Sequence, residues 1–128
     1  MILLDSNALL WLITRDGRLG SAAQGMLAAA ATPAFFSPIS VVELTIKQML
    51  SKLQLMGPLS DASFAAGLRE LPLTAPHAEG IAGFPMLVRH DPFDRMLLAQ
   101  AQVEGMRLLT SDRTLLAAAP DLTIDARA

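Results

Sequence analysis

The feature that most constrains this chain is the apolar run at its start. Residues 1–4 are Met-Ile-Leu-Leu, and the polar stretch that follows begins at once with Asp5. A strand with one face in water alternates apolar and polar residues, and this run does not alternate. It therefore predicts a short strand buried on both faces, which is typical of a parallel sheet covered by helices on each side. Because helical periodicity resumes at Ala8, Asp5 is expected at the carboxyl edge of that sheet, where ligands usually bind.

Short apolar runs alternate with helical patterns along the rest of the chain. This alternation predicts an α/β fold, a three-layer α/β/α domain spanning residues 1–128 around a mostly parallel sheet of about four to five short strands. An extended segment at 71–73 is placed at a sheet edge because it contains Pro72. The other strands are predicted at 34–36, 107–110 and 122–124, and the helices at 8–13, 22–31, 40–50, 60–70, 77–82, 93–104 and 112–118.

Composition limits the class of protein. Hydrophobic residues make up 52% of the 128 residues and charged residues 17%, which excludes a disordered chain. The chain has no cysteine, so it can form neither a disulfide nor a thiolate metal site. No stretch approaches the roughly 18 apolar residues that a membrane helix needs. We therefore expect a soluble, cytoplasmic protein with no membrane association.

The net charge restricts how the chain could bind a polyanion. Ten Arg and Lys residues stand against twelve acidic residues, giving a formal charge of -2. A protein that binds nucleic acid by charge alone normally carries a basic surplus. If the substrate is a polyanion, another positive charge must act at the reacting phosphate. A bound divalent metal ion is the first candidate.

Four carboxylates stand where predicted elements begin, and each also has an ordinary structural explanation. Asp5 and Asp112 follow predicted strands, so each could cap the helix that comes next. The sequence Ser40-Val-Val-Glu43 matches a capping box, in which the Glu side chain accepts a hydrogen bond from the backbone of the Ser. Taken one at a time, these residues do not require a functional site.

The fourth helix start of this kind lies at Asp91-Pro92-Phe-Asp94. Asp91 reads as the N-cap, with Pro92 at the first helical position. Asp94 then occupies the first turn, where the helix dipole favours a negative charge. For Asp91 the capping interpretation is the stronger one, and for Asp94 the structural and functional interpretations are balanced.

The four acids are more informative together. In a parallel sheet, the ends of strands and the starts of the helices that follow them lie at one edge, so Asp5, Glu43, Asp94 and Asp112 are expected to converge. Carboxylates this close repel one another unless a cation lies between them. Oxygen ligands suit hard divalent cations such as Mg²⁺ or Mn²⁺. The sequence contains neither the acidic calcium loop nor the His-Glu-Xaa-Xaa-His zinc motif.

Four stretches carry a resemblance to a known family. They are Leu-Leu-Asp-Ser-Asn-Ala-Leu-Leu-Trp at 3–11, Ser-Pro-Ile-Ser-Val-Val-Glu-Leu-Thr-Ile-Lys at 37–47, His-Asp-Pro-Phe-Asp-Arg-Met-Leu-Leu-Ala-Gln-Ala at 90–101, and Leu-Leu-Thr-Ser-Asp at 108–112. In this order and spacing they resemble the PIN-domain ribonucleases, and specifically the VapC-type toxins of bacterial type II toxin–antitoxin systems. The stretch at 90–101 is the most distinctive of the four. Asn7 stands where the family often has His, and Val42 where it often has Trp.

The resemblance implies a metal-dependent endoribonuclease that hydrolyses RNA phosphodiester bonds with Mg²⁺ or Mn²⁺. It also implies a cognate antitoxin partner and a homodimer. The implied catalytic and metal-binding residues are Asp5, Glu43, Asp94 and Asp112, with Ser6, Ser111, Arg95 and Asp91 as auxiliary residues. Basic residues that are candidates for holding the RNA backbone are Arg15, Arg18, Lys47, Lys52, Arg89, Arg95 and Arg113.

Two other functions remain possible from the sequence. The main alternative is a catalytically inactive PIN-like module that binds RNA or protein, although all four acids are present. A phosphotransfer enzyme or receiver domain also places acids at strand ends, but the lysine or Asp-Xaa-Asp pair it needs is not in the right place. His77 is expected at a helix start or on the surface, and His90 at the mouth of the crevice, so neither is favoured as a catalytic base.

Overall fold

In the computed structural model, which describes residues 1–128, five short strands form a single sheet. Every neighbouring pair is parallel. The all-parallel sheet confirms the predicted fold class. The strands are β1 (Ile2–Leu4), β2 (Ala34–Phe36), β3 (Arg69–Glu70), β4 (Arg107–Thr110) and β5 (Thr123–Asp125), in the spatial order β3-β2-β1-β4-β5.

Seven α-helices connect and cover the strands. None of them is long and apolar enough to cross a lipid bilayer. Two short 3₁₀ turns, Gly80–Gly83 and Pro85–Leu87, occupy the segment between the fifth and sixth helices. The helices are α1 (Ser6–Thr14), α2 (Ser21–Ala28), α3 (Pro38–Met49), α4 (Leu59–Ala65), α5 (Ala75–Glu79), α6 (Pro92–Glu104) and α7 (Arg113–Ala118).

The first strand is buried on both faces, as its unbroken apolar run predicts. Ile2 and Leu4 pack into one hydrophobic cluster together with residues of α1 to α4. Leu3 packs into a second cluster on the opposite face, together with residues of α6 and α7. The side chains of β4 also alternate between the two faces of the sheet, with Leu109 in the first cluster and Leu108 in the second. Each of these side chains stabilises the fold by about 1.5–3 kcal/mol through burial.

The strand order places a crevice beside the first strand. From β1 the chain first adds β2 and β3 on one side of the sheet, and then returns to add β4 and β5 on the other. The direction of winding therefore reverses between β1 and β4. In open parallel sheets the crevice at such a reversal, outside the carboxyl ends of the strands, is the usual ligand site. Asp5 follows β1 at this point, and Thr110 ends β4 there.

The start of α3 differs from the prediction. Ser37, not Ser40, is the N-cap, and its Oγ accepts a hydrogen bond from the Ile39 N–H at 3.1 Å. Pro38 then occupies the first helical position, where its missing N–H and fixed φ suit a helix start. Ser40 is a buried helical residue. The capping box predicted for Ser40 and Glu43 is therefore wrong.

Element boundaries differ at several other places. The edge strand is Arg69–Glu70 rather than 71–73, because Leu71 donates the last strand hydrogen bond to Phe36 and the following Pro72 has no N–H. Helix α2 ends at Ala28 instead of continuing to residue 31. The N-cap of α2 is Gly20.

Gly20 is required because the chain passes unusually close to it. A Cβ at this position would overlap the backbone of Ala128, whose carbonyl accepts a hydrogen bond from Ala22. We expect Gly20→Ala to lower the free energy of unfolding by about 1–3 kcal/mol, since one segment must move. Gly25→Ala is the matched control, because a Cβ there meets nothing within 4 Å and should stabilise α2. Urea denaturation of both variants measures the difference, and an unchanged midpoint for Gly20→Ala would contradict the close packing.

Candidate metal centre

Asp5 is held rigidly at the end of β1. Its side chain is buried, and Oδ1 accepts a hydrogen bond from the Ala8 N–H at 2.7 Å, which makes Asp5 the N-cap of α1. Oδ2 accepts a hydrogen bond from Thr110 Oγ1, also at 2.7 Å. Burial raises the pKa of Asp5 above its usual value, although the hydrogen bonds from Thr110 and Ala8 oppose that rise and the nearby Glu43 carboxylate adds to it. The capping role and a place in the acidic crevice are thus compatible.

Glu43 reaches the crevice from the second turn of α3, not from a first turn as predicted. Its Oε1 accepts a hydrogen bond from Ser6 Oγ at 2.6 Å. Ser6 Oγ also lies 3.1 Å from Ser40 Oγ, so the start of α1 is joined to α3 through a buried hydroxyl pair. Lys47 Nζ lies 3.8 Å from Glu43 Oε2, one helical turn away. These contacts fix the carboxylate of Glu43 beside the start of α1.

Asp94 stands in the first turn of α6, whose start matches the prediction. Asp91 is the N-cap, and its Oδ1 accepts a hydrogen bond from the Phe93 N–H at 2.8 Å. Pro92 is the first helical residue. Gly105 ends the helix with a φ of 66°, a left-handed conformation that glycine adopts without steric cost. Asp91 therefore acts as a helix cap and holds the turn that carries Asp94.

The surroundings of Asp94 also disfavour its ionised form. Burial, and after it the carboxylates of Asp5, Asp91, Asp112 and Glu43, together raise the pKa of Asp94 to about 7. The part of this rise that comes from the four carboxylates shows that several negative charges lie close to Asp94. The structure thus brings all four predicted acids into one electrostatic cluster.

Asp112 completes the cluster from the side of β4. It is the N-cap of α7, and Oδ1 accepts a hydrogen bond from the Leu115 N–H at 3.0 Å. Its Oδ2 lies 3.1 Å from His90 Nε2, and the same nitrogen lies 3.3 Å from Asp94 Oδ2. Burial tends to raise the pKa of Asp112, but the Leu115 N–H and the His90 imidazole together hold it below its usual value.

Thr110 links two of these acids. Its hydroxyl donates to Asp5 and accepts a hydrogen bond from the Asp112 N–H at 3.0 Å. We expect Thr110→Val to lower the free energy of unfolding by about 1–3 kcal/mol, because a buried carboxylate and a backbone N–H would lose their partner. Thr114→Val on the exposed face of α7 is the matched control and should change stability little. Chemical denaturation measures both, and equal midpoints for the two variants would contradict this role of Thr110.

The remaining predicted residues surround the cluster in different ways. Ser6 binds Glu43 through its hydroxyl, whereas Ser111 acts on Asp5 through its backbone N–H. Arg95 forms no ion pair, and its Nε is buried without a hydrogen-bond partner. A buried guanidinium nitrogen that lacks a partner is costly, which suits a side chain that gains one when a negatively charged ligand binds.

The donor set fits a hard divalent cation. It consists of carboxylate oxygens whose mutual repulsion is relieved when a cation binds among them. His90, Asp94 and Asp112 each present one ligand atom, and these three atoms lie within 4.8 Å of one another. The largest cavity, of about 470 Å³, lies elsewhere against α2 and contains no carboxylate. The candidate metal site is therefore the acidic edge of the sheet and not this cavity, because only the edge brings several carboxylates together.

Comparison with known families decides the class of protein. The family profile described as PIN domain matches residues 2–120, nearly the whole chain. The chain belongs to the PIN domain family. A search of curated proteins finds no match.

Solved structures share the architecture of this PIN domain at low sequence identity. A toxin–antitoxin complex from Klebsiella pneumoniae matches with a TM-score of 0.68 and 19% identity over 98% of each chain. VapBC2 from Rickettsia felis, bound to a DNA fragment from its promoter, matches with a TM-score of 0.68 and 17% identity, over 98% of this chain and all of the other. FitAcB from Neisseria gonorrhoeae matches with a TM-score of 0.64 and 21% identity over 98% of each chain.

Sequence reasoning missed three contributors to the centre of the PIN domain. His90 was expected only at the mouth of the crevice, whereas its Nε2 lies between Asp94 and Asp112. Thr110 was not singled out, and Ser40 was assigned only to a capping box, although each hydrogen-bonds within the cluster. One signal was available for Thr110, since a hydroxyl at the last residue of a buried strand must find a partner at that strand's end. His77 lies at a helix start, one of its two predicted positions, in the first turn of α5, but it is buried there and its Nε2 lies 2.9 Å from Glu104 Oε1.

Proposed function

We propose that this PIN domain is a metal-dependent endoribonuclease that acts as a VapC-type toxin. The observation that carries the proposal is the cluster of four carboxylates at the reversal point of the sheet, with the pKa of Asp94 raised to about 7 by burial and by its acidic neighbours. Such a cluster destabilises the metal-free protein, so selection for folding alone does not account for it. The match to the PIN domain family supports the same reaction class.

Asp5, Glu43, Asp94 and Asp112 would hold one or two Mg²⁺ or Mn²⁺ ions. A divalent cation bound there supplies a Lewis acid, which makes a water molecule easier to deprotonate and neutralises charge on the phosphoryl oxygens. The residues around the acids supply rigidity, since Thr110 orients Asp5 and Ser6 orients Glu43. With four charged oxygen donors in place, hydrolysis needs no histidine base.

The basic side chains nearest to the acids are the candidates for binding the RNA backbone. Lys47 lies beside Glu43, and Arg95 follows Asp94 with no ion-pair partner. Arg18 and Arg113 are poorer candidates, because they pair with Asp16 and Asp125. An acidic protein with few cations near its site would bind RNA weakly and position it locally.

The proposed partners are a cognate antitoxin and a second copy of the chain. The similar structures from Klebsiella pneumoniae and Rickettsia felis are described as a toxin–antitoxin complex and as VapBC2. On this chain, Val42, Ile46 and Met49 form an exposed apolar stripe along α3, next to Glu43. Exposed apolar stripes of this kind favour protein interfaces. Light scattering of the purified chain would give the mass of a dimer if the homodimer is correct.

The decisive experiment is cleavage of total cellular RNA by the purified chain. In the cell, we expect the protein to be cytoplasmic. Discrete fragments should form with Mn²⁺ or Mg²⁺ and should be absent with EDTA. A folded chain that neither cleaves RNA nor binds either metal ion, by calorimetry, would overturn the proposal in favour of an inactive PIN-like module.

A further inference from the structure

His90 lies where a third ligand of a cation would lie. Its Nε2 is 3.1 Å from Asp112 Oδ2 and 3.3 Å from Asp94 Oδ2. Ligand atoms about 2.1 Å from one cation, at right or tetrahedral angles to one another, are about 3.0–3.4 Å apart. Both separations fall in this range, and the three ligand atoms lie within 4.8 Å of one another, so they can share one cation after a modest movement of the side chains.

A hydrogen bond explains only one of the two contacts. Nε2 carries at most one proton, and that proton can point at one carboxylate but not at both. The lone pair of a neutral imidazole, in contrast, can point at a cation that the two carboxylates share. The backbone of His90 is also held in place, because its main-chain N–H donates to the Leu87 carbonyl at 2.9 Å, and the side chain is only 21% exposed.

A nitrogen ligand changes which ions bind best. Mg²⁺ strongly prefers oxygen ligands and keeps several water molecules, whereas transition-metal ions bind imidazole well. Four carboxylates alone would hold Mg²⁺ and Mn²⁺ with little discrimination. The addition of one imidazole favours the transition-metal ion.

We propose that His90 contributes its Nε2 to the cation held by Asp94 and Asp112, and that this ligand makes the centre select Mn²⁺ and later transition-metal ions over Mg²⁺. The inference rests on the proposed function, since it assigns one more ligand to the same metal. It concerns the choice of metal and not the reaction, so it can be tested by binding alone.

The experiment measures binding of Mn²⁺ and of Mg²⁺ by calorimetry, together with pulsed electron paramagnetic resonance of the Mn²⁺-loaded protein. We expect the wild-type spectrum to contain coupling from a directly bound nitrogen. In His90→Asn the coupling should vanish, and the ratio of Mn²⁺ affinity to Mg²⁺ affinity should fall about tenfold. His77→Gln is the control for nitrogen assignment, because it replaces the other histidine of the chain and should leave the coupling unchanged.

Each result has a single meaning. Mn²⁺ binding without nitrogen coupling in the wild-type protein would overturn the inference and leave the proposed nuclease intact. The same holds if His90→Asn weakens both ions equally, since His90 would then only orient Asp112. No binding of either ion by the wild-type protein would overturn both the inference and the metal-dependent function. The wild-type spectrum decides the assignment even if a variant fails to fold.

Discussion

Replacing Asp94 with Asn is expected to reduce metal-dependent RNA cleavage by on the order of a thousandfold, which corresponds to several kcal/mol of transition-state stabilisation. Asn keeps the size and shape of the side chain but removes the charge that would hold the cation. Because Asp91 and not Asp94 caps α6, the helix start should be preserved. Cleavage rates on one RNA substrate at saturating Mn²⁺ measure the effect.

The same substitution has an opposite effect on stability without metal. The pKa of Asp94 is about 7 in the folded chain against an ordinary value of 3.8, so the folded state binds the extra proton. The stability that this proton contributes is present at low pH and is lost as the pH rises through about 7. We therefore expect Asp94→Asn, in EDTA, to unfold at a higher temperature than the wild-type protein at pH 8, by a smaller margin at pH 5, and to differ little only at or below pH 3.8, where Asp94 is protonated in the unfolded chain as well.

Asp121→Asn is the matched control for both measurements. Asp121 is exposed and lies outside the cluster, so this variant should retain wild-type cleavage and wild-type melting. Full cleavage by Asp94→Asn would contradict its role as a ligand. A lower melting temperature for Asp94→Asn at pH 8 would show that the acidic cluster is not under electrostatic strain.

The second large effect is the dependence of metal affinity on pH. A cation that binds Asp94 must displace its proton, and the pKa of that group is about 7. For one such group the apparent Mn²⁺ affinity falls by up to about tenfold for each pH unit below 7, and is about 25-fold weaker at pH 5.5 than at pH 7.5. Above pH 8 the affinity should be constant. Calorimetric titrations across this range give the profile.

A control separates Asp94 from the imidazole beside it. The variant His90→Asn keeps Asp94 and removes the neighbouring histidine, so it should retain a falling affinity below pH 7. A flat profile in this variant would assign the dependence to His90 instead. A flat profile in the wild-type protein would mean that Asp94 is already ionised before the cation binds.

Much of the acidic cluster was predictable from the sequence, because two of its residues both follow a strand and cap the next helix. Asp5 and Asp112 each end a strand and cap the next helix, and both facts can be read within a few residues of sequence. Asp91 and Pro92 mark the start of α6 in the same local way. In a parallel sheet the strand ends and the helix starts that follow them lie at one edge. Once their positions in the sequence are predicted, it follows that the acids at those positions lie close together.

The features that were missed depend on contacts between distant residues. Ser40 matches a capping box in sequence, but Ser37 and Pro38 already begin α3, so Ser40 is turned inward against Ser6, 34 residues away. His90 approaches Asp112 from 22 residues away. The edge strand at 69–70 is exposed on both faces and shows no apolar pattern, so only its pairing with β2 defines it. Local periodicity cannot report such contacts.

The hydrogen bond between Thr110 and Asp5 shows when the acidic cluster is assembled during folding. It joins residues 105 positions apart, and β1 is complete only when β4 lies beside it. Parallel strands so far apart in the chain pair late and slowly during folding. While the chain is still being synthesised, it therefore lacks both the support of Asp5 and the last carboxylate. The acidic cluster is therefore assembled only when nearly the whole chain has been released.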